Sequence, residues 1–417
     1  MIFIYRIIIN LIFLLSPIII IFRLIKKKED FRRFKEKFCF FSKNRKKGKI
    51  IWFHGASVGE IKSIIPLLEK FEKDRKISQI LITSNTLSSS KIISNIKLKK
   101  IVHQFFPIDV KFISNKFLNY WNPSAAFFID SEIWPNMILN LKKKQIPIIL
   151  INGRITRKSF LRWNFFKEFS ESIFEKFDLC FSANIETQNF LTKLGAKKIL
   201  NVGNLKFSQS ENEIIGEERN FGKFVKSKKI WCASSTHYGE EDLCGSVHKE
   251  LKKKYKNLLT IIIPRHIDRS TSIKDSIQSL GLKVHMHEPK MKIKKNTDIY
   301  IVNTYGKTKS FYSYCKNVFL GGSIVNHGGQ NPLEAARFGC NILHGPNISN
   351  FKEIYEFLSK NKISKKINGK KMMLDALNKL FLKNKASKKI KEKINFIGQK
   401  ILNVTYREVK LLLKNEI

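Results

Sequence analysis

Short apolar runs alternate with longer amphipathic segments along the chain from Ile50 onwards. The amphipathic segments, such as Ile61–Phe71 and Trp134–Lys143, carry apolar residues at helical spacing. This alternation predicts parallel β-strands joined by helices that cover both faces of a sheet. In the first half of the chain the strand candidates are Ile50–Phe53, Ile80–Thr83, Ala125–Ile129, Ile146–Ile151 and Leu179–Ser182.

The alternation is interrupted once, which predicts two domains. Residues 208–228 are polar and charged with little apolar periodicity, as expected of a linker. The length of 417 residues also fits two domains of ordinary size. We predict two doubly wound, Rossmann-like α/β domains, at 29–207 and 229–385, with a cleft between them. A helix at 386–417 is predicted to pack back towards the first domain. The strand candidates of the second domain are Ile230–Ala233, Leu259–Ile263, Ile299–Val302, Val318–Leu320 and Ile342–His344.

The N-terminus carries a long apolar run. Residues from Ile7 to Phe22 are almost wholly apolar, a length at the short end for a membrane-spanning helix. Arg23 and three lysines at 26–28 follow at once, which favours a cytoplasmic location for the remainder. A cleaved signal peptide would carry its charge before the apolar run and small residues after it. We predict a membrane anchor at residues 1–28, spanning the membrane or lying in its interface; the alternative is a buried helix.

The composition adds a strong positive charge to this picture. The chain carries 78 Lys and Arg against 34 Asp and Glu, a formal net charge of +44. Such a charge favours anionic partners, among them nucleic acid, an acidic membrane and phosphorylated substrates. The charges are spread along the chain and form no RNA- or DNA-binding motif. We therefore expect the anionic inner membrane as a partner and no nucleic acid.

Neither the cysteines nor the histidines predict a metal site. The six cysteines form no C-x-x-C pair and several stand in apolar runs, as expected of buried thiols in a reducing compartment. The nine histidines show neither H-x-x-x-H nor H-E-x-x-H spacing. We expect no metal and no cofactor.

The residues that can carry chemistry stand just after strand candidates, where ligands bind in open α/β sheets. The motif H-G-A-S-V-G-E at residues 54–60 places Glu60 in the first turn of a helix. A carboxylate there can take a proton from a substrate hydroxyl as a general base. The alternative, a carboxylate that only complements the helix dipole, is equally compatible with this motif alone.

Two further motifs of the first domain carry charged side chains. The segment D-S-E at residues 130–132 places two acids at a strand end, where they can orient an acceptor or a catalytic group. The alternative is a helix N-cap supplied by Asp130 or Ser131. Lys206, in G-N-L-K-F at 203–207, lies beside the linker and is predicted to point into the cleft. A solvated amine is the alternative for Lys206.

The second domain repeats the arrangement with small and basic residues. S-S-T-H at 234–237, followed by G-E-E at 239–241, offers small hydroxyls at a helix start, which can hold a phosphate or simply cap the helix. Arg265, in P-R-H, can bind a phosphate bidentately. G-G-S at 321–323 precedes N-P-L-E at 331–334, which reads as a helix N-cap followed by the first and third helical positions. A carboxylate at the last position could also take two ribose hydroxyls, and the glycines allow close approach of a ligand.

Together these motifs, in this order and spacing, resemble the 3-deoxy-D-manno-octulosonic acid (Kdo) transferases of lipopolysaccharide assembly. The resemblance covers nearly the whole chain and rests on S-V-G-E, S-E-I-W-P-N, G-N-L-K-F, S-S-T-H-x-G-E-E, P-R-H, G-G-S and N-P-L-E. It implies the GT-B type of glycosyltransferase fold, with a nucleotide-binding C-terminal domain. It further implies inverting transfer of Kdo from CMP-Kdo to a lipid A precursor, lipid IVA, at the cytoplasmic face of the cell inner membrane.

The resemblance also implies roles for individual residues. Glu60 would be the general base, and Asp130 and Lys206 would stabilise the transition state. Contacts to CMP are implied for Pro264, Arg265, Tyr305, Gly306, Lys307, Asn331, Pro332, Leu333 and Glu334. Three positions depart from the family pattern. Asp130 stands where the family has Glu, Lys307 where the family's M-G-E ends in Glu, and Gln330 where the family's G-G-H-N-P-L-E has His.

Three other functions stay open from the sequence. A transferase of the same architecture that uses a UDP- or ADP-sugar would differ in its preference between cytidine and uridine nucleotides. A basic membrane-associated binding protein with a degenerate site is compatible with the three departures, although Glu60, Arg265 and Glu334 are retained. A nucleic-acid binder rests on charge alone and would show strongly salt-dependent binding of duplexes.

Overall fold

The computed structural model describes residues 1–209, 219–288, 291–382 and 388–416. The chain divides into two compact units, Met1–Ser210 with Phe396–Ile417, and Glu211–Asn395. Each unit contains one sheet of seven strands. The predicted linker includes residues 210–218, which lie outside the described residues, and the predicted domain boundaries stay predictions.

The sheet of the first unit is parallel throughout. Its strands are β1 Lys49–His54, β2 Ile77–Ser84, β3 Ile101–Phe105, β4 Ala125–Ile129, β5 Ile148–Gly153, β6 Leu179–Ser182 and β7 Ile199–Asn201. Their order across the sheet is β3-β2-β1-β4-β5-β6-β7. The order reverses between β1 and β4, so that the loops after these two strands border the crevice where doubly wound sheets bind ligands.

Helices precede and connect these strands. They are α1 Ile2–Ile25, α2 Val58–Glu72, α3 Leu87–Ser94, α4 Lys111–Trp121, α5 Pro135–Lys143, α6 Arg157–Phe165, α7 Lys167–Phe174 and α8 Ile185–Lys193. In α2 the buried residues Ile61, Ile64, Leu68 and Phe71 recur at helical spacing. This spacing forms a stripe that faces the sheet and explains why the segment folds as a helix.

The second unit has the same topology. Its strands are β8 Lys229–Thr236, β9 Leu258–Pro264, β10 Val284–Met286, β11 Ile299–Ile301, β12 Asn317–Leu320, β13 Asn341–His344 and β14 Ser364–Lys366. They lie in the order β10-β11-β9-β8-β12-β13-β14, and all pairs are parallel. The order reverses between β8 and β12, which marks the corresponding crevice of this sheet.

The helices of the second unit lie around this sheet. They are α9 Arg219–Val225, α10 Glu240–Lys254, α11 Ser270–Ser279, α12 Thr308–Tyr312, α13 Leu333–Arg337, α14 Lys352–Lys360 and α15 Lys370–Leu382. In α9, Phe221 packs on Tyr300 and Phe311, with ring centroids 4.7 and 5.0 Å away. Residues 219–225 of the predicted linker are thus a helix that packs on the second unit.

The ten strands predicted from the sequence all form, whereas the four edge strands β3, β7, β10 and β14 were not predicted. The edge strands are short or carry polar residues, as in Ser364–Lys366 and Ile199–Asn201. A central parallel strand is covered on both faces and must be apolar throughout, whereas an edge strand is less covered. Hydrophobicity therefore finds the centre of each sheet and misses its edges.

Helix α1 packs one face on the first unit and exposes the other. The hydroxyl of Tyr5 donates to Asp109 Oδ2 at 2.7 Å, and Arg6 Nε donates to Asn136 Oδ1 at 3.0 Å. Phe13 lies edge-on against Phe112, with ring centroids 5.4 Å apart. By length and composition, α1 is long and apolar enough to cross a membrane. Its exposed large apolar residues include Phe3, Ile7, Leu11, Leu14, Ile18, Phe22 and Ile25.

The last helix, α16, extends over Lys388–Glu416. Its residues from Phe396 onwards belong to the first unit. There the ring of Tyr406 packs on Phe71, 5.1 Å between centroids, and Lys410 Nζ lies 2.9 Å from Asp74 Oδ2.

Candidate active site

Glu60 lies at the start of α2, directly after β1. Its Oε2 accepts the backbone N–H of Ala56 at 2.6 Å, and its Oε1 accepts the hydroxyl of Ser57 at 2.8 Å. The Ser57 hydroxyl in turn accepts the N–H of Glu60, which completes a capping box. Gly55 permits the turn to close, because a Cβ there would lie 3.0 Å from Ile129 Cδ1 and 3.3 Å from Glu60 Cβ. Glu60 therefore stabilises the start of α2, and its carboxyl is half-buried there.

The environment of Glu60 disfavours its charge. Burial, followed by the charges of Asp130 and Glu132, raises the pKa of Glu60 to about 7, although hydrogen bonds from Ser57 oppose the shift. Desolvation and neighbouring like charges both stabilise the protonated form of a carboxyl. A carboxyl with a pKa near neutrality is suited to exchange protons with a substrate.

Asp130 follows β4 on the other side of the crevice. Its backbone is left-handed, with φ 56°, a conformation that Asp adopts more readily than most residues. Its Oδ1 accepts the side-chain amide of Asn152 at 2.6 Å, and Asn152 Oδ1 accepts the N–H of Leu205 at 2.7 Å. The amide therefore fixes Asp130 relative to the segment that carries Lys206.

Lys206 is buried, and its Nζ lies 3.8 Å from Asp130 Oδ2. The alternative of a solvated amine is wrong, because this ammonium group is removed from water and sits opposite a carboxylate. Asp130 also acts electrostatically on Glu60. The three residues with predicted catalytic roles, Glu60, Asp130 and Lys206, therefore occupy one region at the carboxyl edge of the first sheet.

Glu132, the second acid of D-S-E, is a third carboxylate in this region, and no individual catalytic role was predicted for it. His54 Nε2 lies 3.1 Å from Glu132 Oε2, and Trp134 Nε1 donates to the same oxygen at 3.0 Å. Burial raises the pKa of Glu132, but the contacts with His54 and Trp134 outweigh it and leave the pKa below its usual value. Glu132 is therefore held in its charged form next to Glu60.

The N-cap role weighed for Asp130 or Ser131 is wrong. Helix α5 begins at Pro135. Its N-cap residue is Trp134, whose side chain makes no capping hydrogen bond. The buried carboxylate of Asp109 instead accepts the N–H groups of Asn136 at 2.9 Å and Met137 at 2.8 Å. The cap comes from a segment distant in sequence, so no local pattern could predict it.

In the second unit, the idea that small hydroxyls start a helix is wrong. Residues 234–236 belong to β8, with a bulge at Ser235, whose φ is 56°. Helix α10 begins at Glu240 after Gly239. The buried carboxylate of Glu240 accepts four backbone N–H groups, those of His237, Gly322, Ser323 and Ile324.

Glu240 therefore holds the G-G-S segment in place. Gly321 packs directly on this arrangement, because a Cβ there would lie 2.5 Å from Ser235 O and 2.7 Å from Glu240 Oε2. The N–H groups of residues 322–324 bind a side chain of the protein. The need for glycine at 321 comes from packing.

The residues predicted to contact CMP follow three strands of the second sheet. Pro264 ends β9, and Arg265 after it is exposed, with its N–H donating to Thr236 O at 3.0 Å. Tyr305 and Gly306, whose φ is 80°, stand exposed before α12, and Lys307 precedes that helix. These segments lie at the carboxyl edge of the sheet.

The helix that starts within N-P-L-E begins one residue later than predicted. Pro332 is the N-cap residue and α13 begins at Leu333, so that Glu334 is its second residue. The side chain of Asn331 nevertheless accepts the N–H of Leu333 at 3.1 Å. Asn331 therefore supports the helix start from one position further out, and Glu334 is half exposed in the first turn.

Comparisons with known proteins identify the family. A family model described as 3-deoxy-D-manno-octulosonic-acid transferase (kdotransferase) matches residues 32–209. The 3-deoxy-D-manno-octulosonic acid transferase of Rickettsia bellii is 35% identical over 371 residues, which cover 88% of this chain and 88% of that protein. The chain belongs to the Kdo transferase family. The corresponding transferase of Haemophilus influenzae is 28% identical over 84% of this chain and 83% of its own length.

Solved structures of other proteins have a fold similar to that of this chain. A glycosyltransferase from Rickettsia africae superposes with a TM-score of 0.58 at 14% identity, over 89% of this chain and 99% of that one. A UDP-GlcNAc 2-epimerase from Neisseria meningitidis gives 0.59 at 15% identity, over 88% and 100%. The fold is the GT-B type with two Rossmann-like units, as predicted.

The three positions that depart from the family pattern have different surroundings in the structure. Asp130 is held by Asn152 and paired with Lys206, so the shorter carboxylate has defined partners. Lys307 lies at the start of α12. The backbone carbonyl of Gln330 accepts the hydroxyl of Tyr355 at 2.9 Å.

Proposed function

We propose that this Kdo transferase moves Kdo from CMP-Kdo to a lipid A precursor, lipid IVA, with inversion at the anomeric carbon. The observation that carries the proposal is Glu60, a carboxyl with a pKa of about 7 in the same region as Asp130 and Lys206. Family membership supports Kdo as the transferred sugar. The donor nucleotide and the acceptor are inferred from the chemistry below and from the sequence resemblance.

Glu60 is proposed as the general base. It takes the proton of an acceptor hydroxyl, and the oxygen attacks the anomeric carbon of Kdo as the bond to the CMP phosphate breaks. The electron pair of that bond leaves with CMP, and the new bond forms on the opposite face of the sugar. The reaction inverts the anomeric centre because it is a single displacement.

Asp130 and Lys206 are proposed to stabilise the transition state. Positive charge develops on the sugar ring as CMP departs, and the fixed carboxylate of Asp130 can balance it. The buried ammonium group of Lys206 can bind the carboxylate of Kdo or the phosphate. Because the two groups are held 3.8 Å apart, little reorganisation is needed at the moment of reaction.

The donor is proposed to bind the second unit. Arg265 is exposed after β9, where its guanidinium can meet the phosphate of CMP. The segment 305–307 and Asn331, Pro332, Leu333 and Glu334 complete the proposed contacts to the nucleotide. CMP is a good leaving group whose charge such groups can meet, so we propose a reaction without a metal ion.

The membrane is proposed to hold the enzyme next to its acceptor. The exposed apolar face of α1 would enter the inner membrane, and the lysines and Arg23 that follow would meet anionic headgroups on the cytoplasmic side. The net charge of +44 would also attract a phosphorylated acceptor.

The direct test is transfer of Kdo by the detergent-solubilised protein from CMP-Kdo to a tetraacyl lipid A precursor, with product mass as the readout. A mass increase of one or more Kdo units is expected. A folded protein that leaves both substrates intact, while a UDP- or ADP-linked sugar is consumed, would contradict the proposed donor.

The rate of transfer is expected to rise with pH through about 7, because Glu60 acts only when ionised. Below its pKa the carboxyl carries a proton and accepts none, and above it the base is fully available. The measurement is kcat/KM between about pH 5.5 and pH 8.5. A rate that is flat across this range would mean that another group sets the ionisation.

Replacing Glu132 by Gln is expected to move this rise to lower pH, by roughly half a unit to one unit. The substitution removes a negative charge that raises the pKa of Glu60, while Gln can still accept the bond from Trp134. The pH profile of kcat/KM of E132Q measures the shift. Glu69→Gln, further along α2, is the control, and an unmoved midpoint in E132Q would contradict the electrostatic link.

A further inference from the structure

Three histidines follow three neighbouring strands of the second sheet. His266 comes two residues after β9, His237 comes directly after β8, and His327 lies in the loop that follows β12. The strands β9, β8 and β12 are adjacent and parallel. The three imidazoles therefore meet at the carboxyl edge of the sheet, beside the reversal of strand order.

The rings are close enough to act on one another. The rings of His237 and His327 stack, with centroids 4.3 Å apart and planes 24° from parallel. His266 stands edge-on to His237 at 5.8 Å. Neutral imidazoles can pack in this way, whereas two imidazolium ions at this distance repel each other.

The charges around His237 are mostly positive. The pKa of His237 is lowered by burial first and by His327 next, with smaller contributions of the same sign from His266 and Arg265. Glu240 of α10 acts in the opposite direction. The carboxylate of Glu240 already accepts four backbone N–H groups. An incoming anion would therefore meet a basic cluster whose neighbouring carboxylate is committed elsewhere.

Two side-chain nitrogens of this cluster lie close together over Gly322. Gly322 has φ 64°, and a Cβ there would lie 3.3 Å from both His237 Nε2 and Gln330 Nε2. Among the described residues, His237 Nε2 is a buried nitrogen with no hydrogen-bond partner. The imidazole nitrogen of His237 and the side-chain amide of Gln330 thus both lie over Gly322, which has no side chain.

We propose that His237, His266 and His327 form, with Arg265, a subsite that binds an oxyanion of the donor and takes up a proton as it does so. The proposal rests on the proposed function, in which the donor is a CMP-linked sugar acid. That donor carries two oxyanions, a phosphodiester and a sugar carboxylate. Binding of either would favour the imidazolium form and offset the repulsion that protonation creates between the rings.

His327 and Gln330 lie three positions apart in the loop that follows β12. The ring of His327 stacks on His237, whose Nε2 lies over Gly322 beside the side-chain amide of Gln330. This loop therefore places an imidazole and an amide next to His237.

The test uses the full-length protein and isothermal titration calorimetry with cytidine, CMP and CMP-Kdo, without acceptor. These ligands add one anionic group at a time. In the wild type, affinity for CMP-Kdo is expected to rise as pH falls from about 8 to about 6, with proton uptake seen as a dependence on buffer ionisation heat. His327→Asn is expected to weaken binding about tenfold and to reduce the proton uptake.

Two further variants sharpen the result. His327→Lys keeps a positive charge without titrating in this range, so we expect it to retain affinity but to lose part of the pH dependence. His285→Gln, on edge strand β10, is the matched control, because His285 also has a lowered pKa and a buried, unpartnered Nε2 among the described residues. We expect it to bind all three ligands as the wild type does.

The pattern across ligands identifies the oxyanion. A loss in His327→Asn that already appears with CMP assigns the subsite to the phosphate, and a loss confined to CMP-Kdo assigns it to the sugar carboxylate. An equal loss for cytidine, or unchanged affinities and proton uptake in the Asn variant, would overturn the subsite. A wild type that binds CMP-Kdo but transfers no Kdo would overturn the proposed function alone, and one that binds neither CMP nor CMP-Kdo would overturn both.

Discussion

Replacing Glu60 by Gln is expected to lower kcat for Kdo transfer about a thousandfold, because the proposed general base is lost. Gln has the shape of Glu and can still accept the N–H of Ala56, so the start of α2 should be preserved. Affinity for CMP should not change, since the proposed nucleotide contacts belong to the second unit. The measurements are steady-state kinetics of Kdo transfer, with donor and acceptor both present, and calorimetry with CMP.

The same substitution should not destabilise the protein. The pKa of Glu60 is raised from 4.5 to about 7, so the folded state holds its proton more tightly than the unfolded chain does. The stability that this group contributes is therefore lost as pH rises from the unfolded pKa through the folded one. At pH 8, E60Q should unfold at the same temperature as the wild type or higher. Glu186→Gln, in the first turn of α8, is the matched control. Wild-type kcat in E60Q would show that another group is the base.

Replacing Glu240 by Ala is expected to lower the free energy of unfolding by about 3–5 kcal/mol. Residue Glu240 is 1% exposed. It accepts N–H groups at 2.7 Å from Gly322, 3.2 Å from Ser323 and 3.0 Å from Ile324, besides that of His237 at 3.0 Å. Without it these donors lose their partner in a buried site, and each unsatisfied group carries a cost.

Urea unfolding measures the loss of stability in E240A, and amide hydrogen exchange locates it. Exchange at residues 322–324 should accelerate more than exchange in the strands of the first unit. Glu250→Ala removes a half-exposed carboxylate from the same helix and should leave both measurements near the wild type. Unchanged exchange at 322–324 in E240A would mean that the segment is held by other contacts.

The central strands could be predicted because burial on both faces demands continuous apolar runs. Strand β4, Ala125–Ile129, is buried at every position and was predicted to the residue. Strand β14, Ser364–Lys366, is held by backbone pairing with β13 while two of its three side chains are exposed. Backbone pairing leaves no mark on side-chain pattern, so such strands cannot be inferred from hydrophobicity.

The candidate site shows the same division between local and distant causes. The first turn of α2 was predicted correctly, because the capping box of Ser57 and Glu60 is local. Asp109 caps α5 from a position 27 or more residues earlier in the chain. The alternative considered from the sequence was a local cap by Asp130 or Ser131. Glu240 was visible in the sequence as part of G-E-E, but its partners at 322–324 are brought to it only by the adjacency of β8 and β12.

The docking of α1 has a practical consequence for producing a truncated protein. Deleting the helix removes its exposed apolar residues, but it also removes Tyr5 from Asp109 and Phe13 from Phe112. The cut therefore uncovers a new apolar surface and withdraws a donor from the carboxylate that caps α5. Phe112 and Phe38 both pack on Phe13 and would lose this contact in a shortened chain. Polar substitutions at these two positions should therefore accompany the deletion.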